Sequence, residues 1–488
     1  MILLRRSIDV HIARAIRSVR RGGFSLLDDS IDQWNHSGTK FVQNVLSVPL
    51  WWSRSQSVID ESLFCNQRVT RQGRARLMAN TKFSKLKNTS RRTVLKHSAA
   101  GAVVLGSPAI LSEALGETPI KIGIPTTITG TYAEYGSHVQ RTAKLIAKEV
   151  NEKGGVLGRP IKFLFEDTQG DPKNCLRKTQ ELVERDGVKL FTGVVVSSEA
   201  RAIMPKLPEW DALFISHGNG DGRLTTPKFL VPNFFRANTS APMGSRSLSL
   251  FLGKSEAKSF YAIASDYSWG HSSVGSFEKQ IQAAGKKFVG KTFAPQGNKD
   301  YSTYITKILQ SGADGCFVAL GGDSVRAFYS QAVQYRLSAK MKLVTGMIGQ
   351  SVLTTLGKDS IGIVGASRYP YTLDNPENKA FVKRFVAENG VFPDWTDGEL
   401  YQATQGMFTA IEKAGSLKTS KIIAAAEGLD VTSVKGTIHF RECDHQAENP
   451  GFVVEVKAGT DGNPEPQLQS IFDRKISTPD CGKTTFSS

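Results

Sequence analysis

Residues 120–124 read Ile-Lys-Ile-Gly-Ile and open a region in which short apolar runs alternate with longer amphipathic stretches. A Gly- and Thr-rich loop follows this run, and an amphipathic stretch through residues 143–147 comes next. Short β-branched runs predict strands, and apolar residues at helical spacing predict a helix. The order strand, loop, helix predicts the start of a parallel sheet that is covered by helices.

The same alternation continues outward from this stretch in two successive runs. In the first run, strands are predicted over 161–165, 189–192 and 213–215, and helices over 174–185 and 200–206. The second run begins after residue 236, with strands over 259–264, 287–292, 315–320 and 342–344 and helices over 274–284, 301–311 and 325–335. Two such runs predict an α/β protein with two doubly wound parallel-sheet lobes and a cleft between them.

Ligands of open parallel sheets bind at the carboxyl ends of the strands, so the loops that follow the predicted strands are the candidate site. Those loops are rich in hydroxyl, glycine and aromatic residues. The candidate ligand-binding residues are Tyr135, Ser197, Ser198, Gly218, Asn219, Gly220, Tyr267, Trp269, Asp323, Met347, Tyr369 and Tyr371. Each has a purely structural alternative: Ser198 and Asp323 as helix caps, and the aromatic residues as packing between loop and lobe.

Motifs for catalysis or metal binding are missing from the sequence. It contains no HExxH motif, no CxxC pair and no GxGxxG after the first strand, and Gly270-His271-Ser272-Ser273 lacks the second glycine of a nucleophile elbow. These absences favour a binding protein without cofactor or metal over an enzyme. Residues 117–488 carry 44 Lys and Arg against 38 Asp and Glu, and they lack the basic runs that track nucleic-acid phosphates.

The N-terminal region carries most of the net charge of +17 and resembles an export signal. Arg91-Arg92 follows a polar, basic stretch and precedes a mild apolar run over 99–106, with small residues near Ala114. This order is typical of a twin-arginine signal peptide over 78–116. The apolar run is too short for a comfortable membrane span, so we expect no stable membrane insertion of the mature chain. Residues 1–77 are interpreted as an upstream extension, either disordered or not translated.

Two of the five cysteines are candidates for a disulfide bond. Export to an oxidising compartment permits a bond between Cys443 and Cys481, which would hold the C-terminal tail. Free thiols are the alternative, because the sequence does not determine their geometry.

Several stretches together resemble the type I periplasmic solute-binding proteins of the branched-chain amino acid and amide importers. They are residues 123–136 (GIPTTITGTYAEYG), 151–161, 166–172, 374–381 and 410–416. The resemblance implies two lobes joined by a three-strand hinge, with lobe one from 117–238 and 369–432 and lobe two from 239–368 and 433–488. It also implies a periplasmic location, a small-molecule ligand and an ABC importer permease as partner.

The resemblance also suggests how a ligand is held. It implies that Ser197, Ser198, Gly218 and Gly220 hold a carboxylate and that Trp269 contributes the aromatic contact of the second lobe. The sequence around Met347 has no carboxylate to pair an amino acid's ammonium group, although Asp323 could substitute from a neighbouring loop. An aromatic or other small carboxylate therefore fits at least as well as an α-amino acid.

Three functions follow from these observations. The first is the substrate-binding subunit of an ABC importer, which works by hinge closure on an amino acid, an organic acid or an amide. The second is a ligand-binding sensor of the same fold. The third is a hydrolase of the cleft with Ser198 or Ser272 as nucleophile, for which the sequence offers no convincing base.

Overall fold

The computed structural model describes residues 118–481, and the first lobe begins with five parallel strands. These are β1 (Ile120–Thr126), β2 (Ile161–Asp167), β3 (Leu190–Phe191), β4 (Leu213–Ser216) and β5 (Phe234–Arg236). They pair in the order β2-β1-β3-β4-β5. The helices between them are α1 (Ala133–Glu152), α2 (Pro172–Asp186) and α3 (Ser197–Ile203).

Local sequence explains where these elements begin and end. Ile120, Ile122 and Ile124 of β1 are buried in the core between sheet and helices. At the start of α2, the Asp171 carboxylate accepts the Asn174 backbone N–H at 2.7 Å, and at its end Gly187 has φ 68°. An aspartate cap and a left-handed glycine are the favoured residues at these two positions.

The second lobe repeats this arrangement. After α4 (Ala241–Leu252), its elements are β6 (Ser259–Ser265), α5 (Ser268–Ala283), β7 (Lys287–Ala294), α6 (Ser302–Gln310), β8 (Gly315–Ala319), α7 (Asp323–Gln334), β9 (Lys342–Thr345), α8 (Gln350–Leu356) and β10 (Val364–Ser367). The strand order β7-β6-β8-β9-β10 matches the order in lobe one. In such sheets the connections reverse direction beside the first strand, which leaves a crevice at the strands' carboxyl ends.

The chain then returns to lobe one. Helices α9 (Pro376–Asn389), α10 (Trp395–Ala414) and α11 (Thr419–Ala426) are followed by a small antiparallel sheet of β11 (Asp430–Ser433), β12 (Gly436–Phe440) and β13 (Ala447–Glu448). Ile438, Phe440 and Ala447 of this small sheet lie in the same apolar core as β1.

The last elements complete lobe two. Strand β14 (Gly451–Ala458) pairs antiparallel with β10 and with β15 (Pro464–Phe472), and α12 (Arg474–Ser477) follows. The chain therefore crosses between lobes after β5, after β10 and after β13. The third crossing differs from the expected boundary at 432/433, because the small sheet buries its apolar face against lobe one.

The C-terminal tail is tied back to lobe one. Cys443, in the loop after β12, forms a disulfide bond with Cys481, with a Cα–Cα distance of 6.3 Å. The Ser477 hydroxyl donates to Asn449 O at the third crossing, and the Arg441 guanidinium donates to Pro479 O at 2.6 Å. The tail that follows α12 thus links the end of lobe two to lobe one beside the hinge.

The predicted α/β class with two mainly parallel sheets is confirmed. Most of the predicted helix and strand ends lie within a few residues of the observed ends. The predicted signal peptide over 78–116 and the predicted extension over 1–77 lie outside the described residues. Within residues 118–481, none of the helices combines the length and the apolar character that crossing a membrane requires.

Candidate functional site

A small cavity lies between the two lobes, at the carboxyl ends of both parallel sheets. Its volume is about 20 Å³, which is roughly the space of one water molecule. The residues that line it are Tyr132, Tyr135, Val195, Gly218, Gly220, Tyr267, Trp269, Gly321, Met347, Arg368 and Trp395. All except Trp395 follow strands of the two parallel sheets, and Trp395 begins α10. This is the crevice that the strand order predicts.

Direct hydrogen bonds close the lobes over this cavity. The backbone N–H of Gly322 in lobe two donates to Tyr135 Oη of lobe one at 3.1 Å. On another side, the backbone N–H of Gly222 in lobe one donates to Ser272 Oγ of lobe two at 2.9 Å. Tyr132 Oη donates to Gln296 Oε1 at 2.9 Å across the same gap. The structure therefore represents the closed arrangement of the two lobes.

The glycine loop after β4 forms part of the lobe-one wall. A Cβ atom on Gly220 would come within 2.8 Å of the Trp269 ring, so only glycine permits this approach of the lobes. Ser197 supports the loop from behind, because its hydroxyl accepts the backbone N–H groups of Gly220 and Asp221, each at 3.1 Å. Ser197 thus shapes the binding loop instead of facing the cavity.

Aromatic rings from both lobes surround the cavity. Tyr132 and Tyr135 come from the start of α1, Tyr267 and Trp269 from the start of α5, and Trp395 from the start of α10. Ring centroids of Tyr135 and Trp395 are 5.1 Å apart, and those of Tyr132 and Tyr267 are 6.4 Å apart across the lobes. Such tilted pairs leave ring faces and edges available to an apolar ligand.

Arg368 contributes the charge of the cavity. It follows β10 directly, at the second crossing, and is only 6% exposed. Its Nη1 donates to Gly218 O at 2.8 Å, and its guanidinium lies 4.5 Å from the Trp395 ring centroid. Nε and Nη2 are buried and have no hydrogen-bond partner among the described residues. Burial lowers the pKa of this guanidinium, but arginine stays protonated in proteins, so its unmet donors carry a positive charge.

Two more buried charges stand beside Arg368. Glu399 of α10 accepts from Lys435 Nζ at 3.0 Å and from the backbone N–H of Thr239 at 3.2 Å, and its Oε1 lies 3.7 Å from Arg368 Nε. The three charged groups connect the first crossing, the second crossing and the small sheet. Because two cations share one carboxylate, this hinge cluster (Arg368, Glu399 and Lys435) carries a net positive charge.

Neighbouring titratable groups do not cancel that charge. Burial, and next the positive charge of Arg368, lower the pKa of His217 to about 3, so its imidazole is neutral at pH 7. Burial raises the pKa of Glu199 to about 8, so its carboxyl group is mostly protonated at that pH. Both groups are therefore neutral at pH 7 and do not change the net charge of the hinge cluster.

The structure brings half of the sequence-predicted site residues to the cavity. Those that line it are Tyr135, Gly218, Gly220, Tyr267, Trp269 and Met347. Asn219 lies behind the wall, where its side-chain amide donates to Ser216 Oγ at 2.6 Å. Ser198 is half-buried at the start of α3 and is not among the lining residues.

Three predicted residues lie elsewhere. The carboxylate of Asp323 is half exposed and pairs with Arg326, so it cannot serve as the ammonium partner inside the cavity. Tyr369 is buried in lobe one with its hydroxyl on Asn378, because it packs against α9 and the close approach of Gly398. Tyr371 stacks on Phe392 with centroids 4.7 Å apart and lines a separate, larger groove.

The lining residues that sequence reasoning missed are Tyr132, Val195, Gly321, Arg368 and Trp395. A signal for Arg368 was present, since a single arginine directly follows a buried strand and precedes an aromatic crossing segment. Trp395 follows Asp394, the N-cap of α10, and is therefore the first residue of that helix. Tyr132 lies inside the loop that follows β1.

One group of potential metal ligands occurs among the described residues. Cys443, Asp444 and Cys481 have ligand atoms within 4.8 Å of one another. The two sulfur atoms are joined in a disulfide, so neither is a thiolate that could bind a metal. In the described part of the chain, this group therefore does not fit a metal centre.

Comparison with known proteins agrees with this geometry. The family model described as "Periplasmic binding protein" matches residues 119–463. A Leu/Ile/Val-binding protein homolog of Brucella suis is 24% identical over 354 residues, covering 70% of this chain and 89% of that protein.

Solved structures show the same fold. The solute-binding protein of an ABC transporter from Rhodopseudomonas palustris BisB5, in complex with 3,4-dihydroxybenzoic acid, has a TM-score of 0.68 and 22% identity and covers 73% of this chain and 98% of its own. An amino acid ABC transporter substrate-binding protein from Pseudomonas fluorescens has a TM-score of 0.69 and 22% identity, with 76% and 99% covered. The family model matches well over half of the sequence. The chain therefore belongs to the periplasmic binding protein family, and the predicted resemblance to type I solute-binding proteins is confirmed.

Proposed function

We propose that this protein is the periplasmic substrate-binding component of an ABC importer and captures a small carboxylate-bearing solute between its lobes. The single observation that supports a negatively charged ligand is Arg368, a buried guanidinium at the cavity with two nitrogens that lack a hydrogen-bond partner. A carboxylate is the ligand group that satisfies such donors best, because it accepts two parallel N–H bonds. The names of relatives that bind amino acids or a benzoic acid support this class of ligand.

Capture proceeds by hinge closure. The ligand enters while the lobes are apart, and the contacts of Tyr135 with Gly322 and of Gly222 with Ser272 then form around it. Closure removes the ligand from water and strengthens its bond with Arg368, because the local dielectric constant falls. The closed lobes present one continuous surface to the membrane permease, which is the partner that an importer requires.

The cleft binds its ligand without changing it. Ser272 was a candidate nucleophile, but its hydroxyl accepts the Gly222 N–H as part of the lobe contact. Ser198 is not among the residues that line the cavity. These positions support binding as the function of the cleft, in agreement with the binding proteins that the chain resembles.

Export is proposed to use the twin-arginine signal around Arg91 and Arg92. Replacing both with lysine keeps the charge but removes the guanidinium pair, so the precursor should remain in the cytoplasm. Replacing Lys85 and Lys87 with arginine is the matched control and should leave export intact. Cell fractionation measures the outcome, and unchanged export of the lysine variant contradicts the twin-arginine route.

Calorimetric titration tests the binding function. The purified protein is titrated with a panel of small solutes: L-amino acids, aliphatic acids, aromatic acids and amides. We expect saturable binding of at least one carboxylate, with one ligand per chain, and recovery of that ligand unchanged by NMR. Failure of every carboxylate to bind, or conversion of the bound ligand to a product, contradicts the proposal.

A further inference from the structure

The charge excess in the hinge cluster limits what the ligand can be. Lys435 Nζ and Glu399 Oε1 are fully buried and lie 3.0 Å apart, whereas Arg368 Nε is 3.7 Å from the same oxygen. Glu399 therefore neutralises Lys435 more than it neutralises Arg368. Among the described residues that line the cavity, Arg368 alone carries a charge. A buried guanidinium is stabilised by an anion that reaches its free donors. The ligand therefore contributes one negative charge at this point.

The same described lining residues include no carboxylate that could pair with an ammonium group. An α-amino acid brings its ammonium group within a few ångströms of its carboxylate, and burial of that cation without acceptors is costly. Asp323, the carboxylate that the sequence suggested as a partner, is half exposed and pairs with Arg326. The nearby carbonyl oxygen of Gly218 already accepts from Arg368 Nη1. A ligand with both charges would thus meet one cation and no anion among the described lining residues, because Glu399 is not one of them and is already paired with Lys435.

The remaining wall is aromatic and comes from both lobes. Tyr135 and Trp395 stand on one side, and Tyr267 and Trp269 stand on the other. Ring faces and edges at these angles suit a flat ligand better than a branched aliphatic one. Because the cavity has only about 20 Å³, a bound ring requires these side chains to separate, so the complex is expected to be slightly more open.

We infer that the ligand is an aromatic monocarboxylate without an ammonium group, with its carboxylate on Arg368 and its ring between the tyrosines and tryptophans of the two lobes. The inference rests on the proposed function, because it names the ligand class of the same cleft. It assigns Arg368 the task of selecting the anion and the aromatic rings the task of selecting shape.

The first experiment compares five probes on the purified full-length protein by calorimetry. Benzoate, benzamide and cyclohexanecarboxylate separate charge from ring, and L-phenylalanine and L-leucine introduce the ammonium group. We expect benzoate to bind at least about tenfold more tightly than each of the other four, which corresponds to the loss of one good contact.

The second experiment changes the charge. Arg368→Gln should weaken benzoate binding by about 100-fold, since the charge-assisted bonds are lost, and should change benzamide binding by less than about threefold. Arg326→Gln is the matched control: it removes a lobe-two cation that pairs with Glu134 and Asp323 outside the cavity lining. It should leave the ratio of benzoate to benzamide affinity unchanged. Thermal unfolding checks that each variant is folded, and Arg368→Lys provides a second variant that keeps the charge but loses the planar fork.

The outcomes separate this inference from the proposed function. Tight binding of L-leucine together with undetectable benzoate binding overturns the ligand class and leaves an importer binding protein. Binding of none of the five, nor of any other carboxylate, overturns both. If Arg368→Gln weakens benzoate and benzamide equally, Arg368 is structural and the inference is wrong.

Discussion

Arg236 and Arg368 occupy equivalent places in the two lobes but meet different surroundings. Arg236 is the last residue of β5 and Arg368 directly follows β10, the corresponding strand of the second sheet. Both are almost completely buried, and both precede a crossing between lobes. Arg236 uses Nε on Gln446 at 2.5 Å, Nη1 on Asp221 O at 2.5 Å and Nη2 on Thr225 at 3.0 Å. Arg368 uses only Nη1.

This difference separates structural from functional burial. A buried guanidinium in which every nitrogen has a hydrogen-bond partner stabilises the arrangement around it, whereas one with unmet nitrogens costs stability until a partner arrives. We therefore interpret the first crossing as a structural support and the second as the proposed binding point for an anion. Variants of the two arginines and their neighbours test this division.

The largest effect is expected for Arg236→Met. This change leaves three buried acceptors, Asp221 O, Thr225 Oγ1 and Gln446 Oε1, without their donor. We expect the free energy of unfolding to fall by about 3–5 kcal/mol, as for the loss of a well-satisfied buried charge. Urea unfolding without ligand measures it, and a loss below about 1 kcal/mol contradicts a structural role of Arg236.

A smaller effect is expected for the stability of the protein in acid, which depends on His217. The positive charge of Arg368 contributes to the low pKa of this imidazole. Burial and this charge hold the pKa of His217 near 3, against 6.5 in the unfolded chain. Between these values the unfolded state binds the extra proton, so stability is lost as the pH falls. The contribution is about 2 kcal/mol between pH 6.5 and 5. The His217→Gln variant has no imidazole to protonate, so its free energy of unfolding should fall by about 2 kcal/mol less than that of the original protein between pH 6.5 and 5. Urea unfolding at several pH values measures both proteins, and parallel curves of stability against pH contradict the assignment.

Removal of Lys435 changes the net charge of the hinge cluster. In Lys435→Met, Glu399 has only Arg368 to neutralise it, so the positive potential at the cavity falls. We expect carboxylate affinity to fall about tenfold, equivalent to about 1.4 kcal/mol, with amide affinity unchanged. Calorimetry measures both, and an unchanged or increased carboxylate affinity contradicts the unequal charge balance.

The smallest stability effect is expected for Arg368→Met. Removal of a guanidinium with two unmet donors also removes its desolvation cost, so the free energy of unfolding without ligand should change by less than about 1 kcal/mol or increase. The difference in the free energy of unfolding between Arg368→Met and Arg236→Met directly tests whether the two arginines differ in their structural role. A loss of several kcal/mol for Arg368→Met means that both arginines are structural.

Much of the fold was predictable from local patterns. The apolar runs at Ile120–Thr126 and Ser259–Ser265 are strands because both their faces are buried, and α2 carries its own start and stop signals. The boundary at 432/433 was not predictable, since β11–β13 join lobe one through packing against residues far away in the sequence. Half of the proposed site residues line the cavity because parallel strands end at one edge.

The rest of the site depends on the meeting of distant segments. Asp323 and Arg368 are both charged residues near strand ends, and the sequence does not tell which one turns inward. Asp323 has Arg326 three residues away on its own helix, so it stays half exposed. Arg368 meets Gly218, Trp395 and Glu399, which come from two other parts of the chain, the loop after β4 and the start of α10.

The sequence by itself determined the α/β class, the two lobes and the edge of the sheets that carries the candidate site, because these follow from the period of apolar residues and the geometry of parallel strands. Tertiary structure alone decided which residues form the wall, that Cys443 and Cys481 are joined, and that the hinge cluster carries an excess positive charge. Burial and charge pairing depend on distances between segments that are 36 to 150 residues apart in the sequence, and local sequence patterns carry no information about those distances.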